Sequence, residues 1–315
     1  MRFTKRLENM PVPLLPTMVG AITLANYMEN FGFTWVRHLT VWAAIIIWFC
    51  YVGKMIAFPK TCKEEYDKTI LRSLYAGFTM IMMGVSGYLL PYAPVLAKGL
   101  WFTAIAIHGL HILYFTYCSV IKGFSWDTFM PSWFVTYNGI MVSTVVGKGM
   151  NEPLIGKIIV YYGIAVYCII LPFMVYRLIT KKINVNFYHT QAVLLAPCSL
   201  CVTSYLNFIE DKNMYLLGFL YVCVLASLAF VIFRLPKFFS MEFTPGYAGI
   251  TFPMAIGTVA SGKMATVLAL QGHAKLSEAV SQLTGIQFYL TTMIIGYVLL
   301  RFFMNWIKVE APVAE

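Results

Sequence analysis

The sequence predicts an all-α polytopic membrane protein whose ten transmembrane helices form five helical hairpins. Three observations carry this. Of 315 residues, 60% are apolar and only 11% are charged, against roughly 45–50% and 25% in a soluble chain. Ten stretches lack a formal charge over, or nearly over, the about 20 residues that a helix needs to cross a hydrocarbon core about 30 Å thick. The odd-numbered stretches open at Pro11, Ser73, Pro131, His189 and Pro245, intervals of 62, 58, 58 and 56 residues, and a near-constant period of this size means a repeated hairpin.

The expected spans are about 11–29, 36–57, 71–92, 96–121, 131–147, 154–178, 188–209, 214–234, 245–268 and 277–306, in one transmembrane domain over 1–315. In the first, the basic start resembles a secretory signal. Pro11, Pro13 and Pro16 break its apolar run and no small-residue cleavage site follows, so it is kept as a span. The even spans are bulky, as in Val41-Trp-Ala-Ala-Ile-Ile-Ile-Trp-Phe49 and Phe219-Leu-Tyr-Val-Cys-Val-Leu-Ala226, which suits contact with lipid. The odd spans carry small, hydroxyl and helix-breaking residues. These are Pro13, Pro16 and Gly20; Gly84, Ser86 and Gly87; Gly139, Ser143 and Thr144; Pro197, Ser199, Thr203 and Ser204; Gly249, Thr251, Pro253, Gly257 and Thr258. Proline frees backbone polarity that lipid cannot satisfy and a neighbouring helix or water-lined cavity can. Small residues in a single helix would mean close packing and no more. Five such helices in alternation point to a central pore within a lipid-facing shell.

Charge sets the orientation. Sixteen of the 23 Lys and Arg fall in the N-terminus, the C-terminal end and the loops that join even spans to odd ones, so both termini are expected in the cytoplasm, with the plasma (inner) membrane as the location. The formal net charge of +10 fits the anionic face of a membrane, and the composition leaves no soluble domain to bind nucleic acid. The seven Cys form no closely spaced framework and read as free thiols.

No Asp, Glu, Lys or Arg is expected in the middle of an odd span, where each would cost about 2.5–3.5 kcal/mol. An uncharged lumen with hydroxyls, freed backbone N–H groups and a basic cytoplasmic rim suits weak, fast passage of small inorganic anions or small organic acids. A gradient-coupled carrier of C4-dicarboxylates needs a cation per carboxylate and a titrating group, for which only His189 stands near the path. His108 and His111 lie three apart on the fourth span, a spacing that suits metal or haem, yet no further ligands accompany them. They read as hydrogen-bonded between helices. Cys198 and Cys201 form a C-x-x-C pair without the soluble setting of a redox motif. The reading is therefore no enzyme, no metal and no cofactor. In Gly249-Ile-Thr-Phe-Pro-Met-Ala-Ile-Gly257, the ring of Phe252 sits beside a kinking proline. The residues alone leave two roles open, a plug in a narrow lumen or a ring packed on a neighbouring helix.

The ten-span plan, Pro131-Ser-Trp-Phe-Val, Leu194-Leu-Ala-Pro-Cys with Ser204-Tyr205, and Ile250-Thr-Phe-Pro-Met together resemble the tellurite-resistance/dicarboxylate transporter family, that of the bacterial TehA-like proteins and the plant guard-cell slow anion channels. The chain departs from the family pattern at Tyr247-Ala-Gly-Ile250, where a Trp-Ala-aromatic run is usual. The resemblance implies a homotrimer with a pore in each protomer and a gating phenylalanine, which falls on Phe252. Pro13, Gly20, Gly87, Gly139, Pro197, Ser204, Thr251 and Pro253 would then shape or line the conduit. Family members pass chloride or nitrate, carry malate or sulfite, or confer tellurite resistance, so the substrate stays open.

Overall fold

The computed structural model describes residues 2–308, and among them the chain is helical, with no strand. Eight helices are long and apolar enough to cross a membrane. Numbering the ten expected segments in order, α2 is Thr34–Ala57, α3 Thr69–Leu89, α4 Pro94–Ile121, α6 Pro153–Thr180, α7 Val185–Phe208, α8 Met214–Phe239, α9 Pro245–Leu270 and α10 Ala274–Ile307.

The remaining two depart from the expected spans 11–29 and 131–147. The helix of α1, Leu14–Met28, has 15 residues, about 22 Å of rise, which is short of a bilayer core. The fifth segment, α5 (133–146), is broken into Trp133–Tyr137, Gly139–Met141 and Val142–Val146. Its break is possible because neighbouring helices satisfy the backbone. His108 Nε2 donates to Thr136 O at 2.9 Å, Trp101 Nε1 to Ser143 O at 2.9 Å, and Asn207 Nδ2 to Thr144 O and Val145 O at 2.9 and 3.1 Å. In return Asn138 Nδ2 of α5 donates to Gly163 O at 2.9 Å. Irregular backbone at membrane depth persists only with such partners.

The odd segments form a closed ring in which α1 packs on α3, α3 on α5, α5 on α7, α7 on α9 and α9 on α1. Each even helix lies outside, between its own odd partner and the next one, and α10 closes the circle against α1. Burial follows the alternation. The windows of α3, α7 and α9 are 78%, 89% and 56% buried, and those of the five even helices 22–33%. Leu15 to Ala25 of α1 and the stretch 133–144 of α5 are buried throughout. Two hairpin turns repeat one geometry. Gly32 and Gly272 take φ of 83° and 80°, and Phe33 N and His273 N each bond back five residues, to Met28 O and Leu268 O. This is a Schellman stop that needs a residue without Cβ. The Arg6 guanidinium lies over the Trp306 ring at 4.8 Å, so the first and last described helices meet on one face.

Candidate functional site: a divided conduit through the helix ring

The ring encloses two cavities in succession along its axis. One, of about 440 Å³, lies among the starts of all five inner segments, and its walls include Pro13, Leu74, Val135, Val193 and Pro253. The other, of about 540 Å³, lies among the far ends of α1, α3, α5 and α9, with Val19, Gly87, Val145 and Ile256 in its walls. One residue lines both. It is Phe252, only 4% exposed.

Glycines fix the backbone that carries this ring. A Cβ on Gly20 would stand 2.7 Å from Phe252 N, and one on Gly249 would stand 2.8 Å from His189 O. The α9 backbone is thus held against α1 on one side and α7 on the other, at distances no side chain permits. Pro253 leaves Gly249 O without its helical donor one position past the ring. The first cavity is lined mainly by apolar side chains, and Val19, Ile22 and Ile256 share the wall of the second with Phe252.

Of the other residues singled out by sequence, Pro13, Gly87 and Pro253 line the cavities. Gly20, Gly139, Pro197, Ser204 and Thr251 stand behind the wall. Gly139 faces His108 and Met80, Ser204 Oγ lies 2.6 Å from Thr144 Oγ1 between α5 and α7, and Thr251 Oγ1 donates to Ala248 O at 2.8 Å. Pro197 is buried within α7. Their contacts are with neighbouring inner and outer segments.

The basic rim differs from expectation. Lys54 is fully buried and donates to Met10 O at 2.8 Å and Glu65 Oε1 at 2.7 Å. Tyr51 OH donates to Pro11 O at 2.5 Å. Together they satisfy the proline-rich entry to α1, where backbone N–H groups are missing. Glu65 lines the first cavity, and its second oxygen accepts from Tyr75 OH at 2.5 Å. The carboxylate that faces the conduit is therefore neutralised. Arg72 and Arg177 are also buried, bonded to Ser119 Oγ and to Trp126 O among others. These three cations hold the fold together and leave the rim to exposed lysines.

Two hydroxyls escaped notice in the sequence. Ser132 Oγ and Thr244 Oγ1 belong to residues lining the first cavity, and neither has a hydrogen-bond partner among the described residues. Only knowledge of the ring closure could have singled them out from the many Ser and Thr of the chain.

His108 and His111 are committed to the fold. His108 Nδ1 pairs with Thr79 Oγ1 at 2.6 Å, and His111 Nδ1 with Tyr66 OH at 2.6 Å. Burial pushes the Tyr66 phenol up to about 12, against the lowering effect of Arg72, so it stays a protonated donor. Their remaining nitrogens meet Thr136 O and Thr136 Oγ1, leaving no lone pair for metal. His189 lines neither cavity. Its Nε2 donates to Phe238 O at 3.1 Å, and its ring lies 3.9 Å from that of Tyr247. Cys198 and Cys201 are free and buried.

The model of the voltage-dependent anion channels, SLAC1, matches residues 10–304. The chain belongs to that family. No curated protein matches the sequence. As a member of the voltage-dependent anion channel family it is a multi-pass membrane protein that moves anions through a lipid bilayer, a transport protein in kind.

Proposed function

We propose that each chain is a passive channel for small anions of chloride or nitrate size, with the conduit inside the five inner segments and the Phe252 ring as its gate. The observation that carries this is the shared position of Phe252, the one residue common to the walls of both cavities. The chemistry of the walls supports it. The inner segments all start at the same cavity, so the positive ends of their dipoles gather there. The acid at that mouth is cancelled by Lys54. None of these grips tightly, which suits fast passage.

The ten crossings in five hairpins form one transmembrane domain, with α1 and α5 crossing inside a protein wall where full bilayer length is not required. Both termini belong on the cytoplasmic side of the plasma membrane, on the Lys and Arg bias of the sequence and the meeting of Arg6 with Trp306. The chain assembles as a homotrimer of separate conduits, which mass measurement of the detergent-solubilised complex tests. Gradient-coupled carriage of dicarboxylates, sulfite or tellurite gains no support from His189, whose ring is stacked behind the wall.

In chloride-loaded liposomes, Phe252→Ala is expected to raise chloride efflux by about tenfold or more, equivalent to about 1.4 kcal/mol off the barrier. Reversal potentials in mixed anion gradients then rank the permeant ions. Unchanged efflux from a folded, correctly inserted variant overturns the gate.

A further inference from the structure

The second cavity holds a charge that the conduit reading does not use. Lys263 stands on α9, eleven residues past Phe252, about 16 Å along the helix, and is half-buried in the cavity wall. It falls near the end of the expected ninth span, 245–268. The helix continues to Leu270, which carries the ammonium into the vestibule.

The surroundings leave that ammonium uncancelled. Its hydrogen bond goes to a neutral acceptor, Asn207 Oδ1 at 2.8 Å, and Asn207 is itself anchored by Nδ2 to the Thr144 and Val145 carbonyls. The end of α7 thus pins Lys263 against the end of α5. No carboxylate lies within ion-pair distance of it among the described residues. Glu29, the acid in the cavity wall, is paired with Arg37 at 2.9 Å. Glu210 and Asp211, in the loop after α7, do not line the cavity. Lys148 acts on Lys263 as a second like charge. The same cavity is lined by Asn26 and Asn30, whose amide N–H groups can donate to a small anion; Asn26 Oδ1 accepts from Arg37 Nε at 3.0 Å.

We propose that Lys263 forms a monovalent-anion site in the vestibule on the face opposite the chain ends, which holds a partly hydrated anion before it meets the Phe252 constriction. The site rests on the channel reading and gives it a polarity. Anions entering from this face meet a fixed cation at close range, where charge in a low-dielectric wall raises local concentration. Anions entering from the other face meet a neutralised acid.

The test is the dependence of conductance on chloride at each face in planar bilayers, in a Phe252→Ala background. Adding Lys263→Met is expected to raise the half-saturating chloride at the vestibule face by about tenfold and to leave the opposite face unchanged, while Lys263→Arg keeps the parental value. No change, or an equal change at both faces, overturns the site. A second readout needs no conduction: the chlorine magnetic-resonance linewidth of the purified parental protein should show excess broadening that Lys263→Met reduces and Lys263→Arg retains. If Phe252→Ala passes no current while the broadening still depends on Lys263, the gate fails and the site stands. If current flows and neither readout responds to Lys263→Met, the site fails and the channel stands.

Discussion

α7 and α4 have nearly the same mean hydropathy, 1.3 and 1.5, yet the first is 89% buried and the second 22%. In a bilayer both environments are oily, so hydropathy does not sort wall from shell. What sorts them is whether a helix needs protein neighbours. α7 begins in a long stretch of tight turn, Val185–Leu194, carries Pro197 within its helix, and presents small residues such as Ser204 to α5. α4 is regular from Pro94 to Thr116 and offers lipid Leu110 and Leu113, 65% and 68% exposed. Among the side chains α4 turns inward are the two that repair α5, His108 and Trp101. Wall and shell differ in backbone debt as well as in side-chain size.

That contrast can be broken by experiment, beginning where the effect is largest. Lys54 belongs to a shell helix but points into the wall, so Lys54→Met leaves the Glu65 carboxylate partly buried and unpaired. A loss of about 3–5 kcal/mol is expected, read by thermal unfolding in detergent, and adding Glu65→Gln should restore much of it. Equal stability of single and double variants would mean the pair does not anchor α1. Gly20→Ala comes next. Its methyl would stand 2.7 Å from the Phe252 amide nitrogen, and parting α1 from α9 should cost about 1–3 kcal/mol and loosen the closed conduit, seen as basal chloride leak. At the lipid face, Leu113→Ala should shift stability by no more than about 0.5 kcal/mol. A large loss there would place α4 in a protein contact, such as a subunit interface.

The alternation itself was legible because Pro, Gly, Ser and Thr recur in every second span. Phe252 was legible only through its neighbour Pro253 and the family resemblance, since the residues alone fitted a packed ring equally well. The rest depends on partners distant in sequence. The break in α5 is licensed by His108 and Asn207, 28 and 63 residues from the carbonyls they bind, and no local pattern announces them. Lys54 near the end of a span reads as interfacial until Glu65 is seen to fold back beneath it. Lys263 lies within the expected ninth span, and nothing in the sequence says that it faces the second cavity. Charges near span ends carry no sequence mark of whether they face water, lipid or the conduit.

The separation of two water-reachable chambers by one ring is the property on which the channel depends. It is tested most directly by placing single cysteines at Val193, in the wall on the chain-end side, and at Val145, on the vestibule side, and timing their reaction with an impermeant thiol reagent added to one face. With Phe252 present, each cysteine should react only from its own face, and with Phe252→Ala both should react from either face. Reaction from both faces with the ring intact, or from neither with it removed, would contradict the claim.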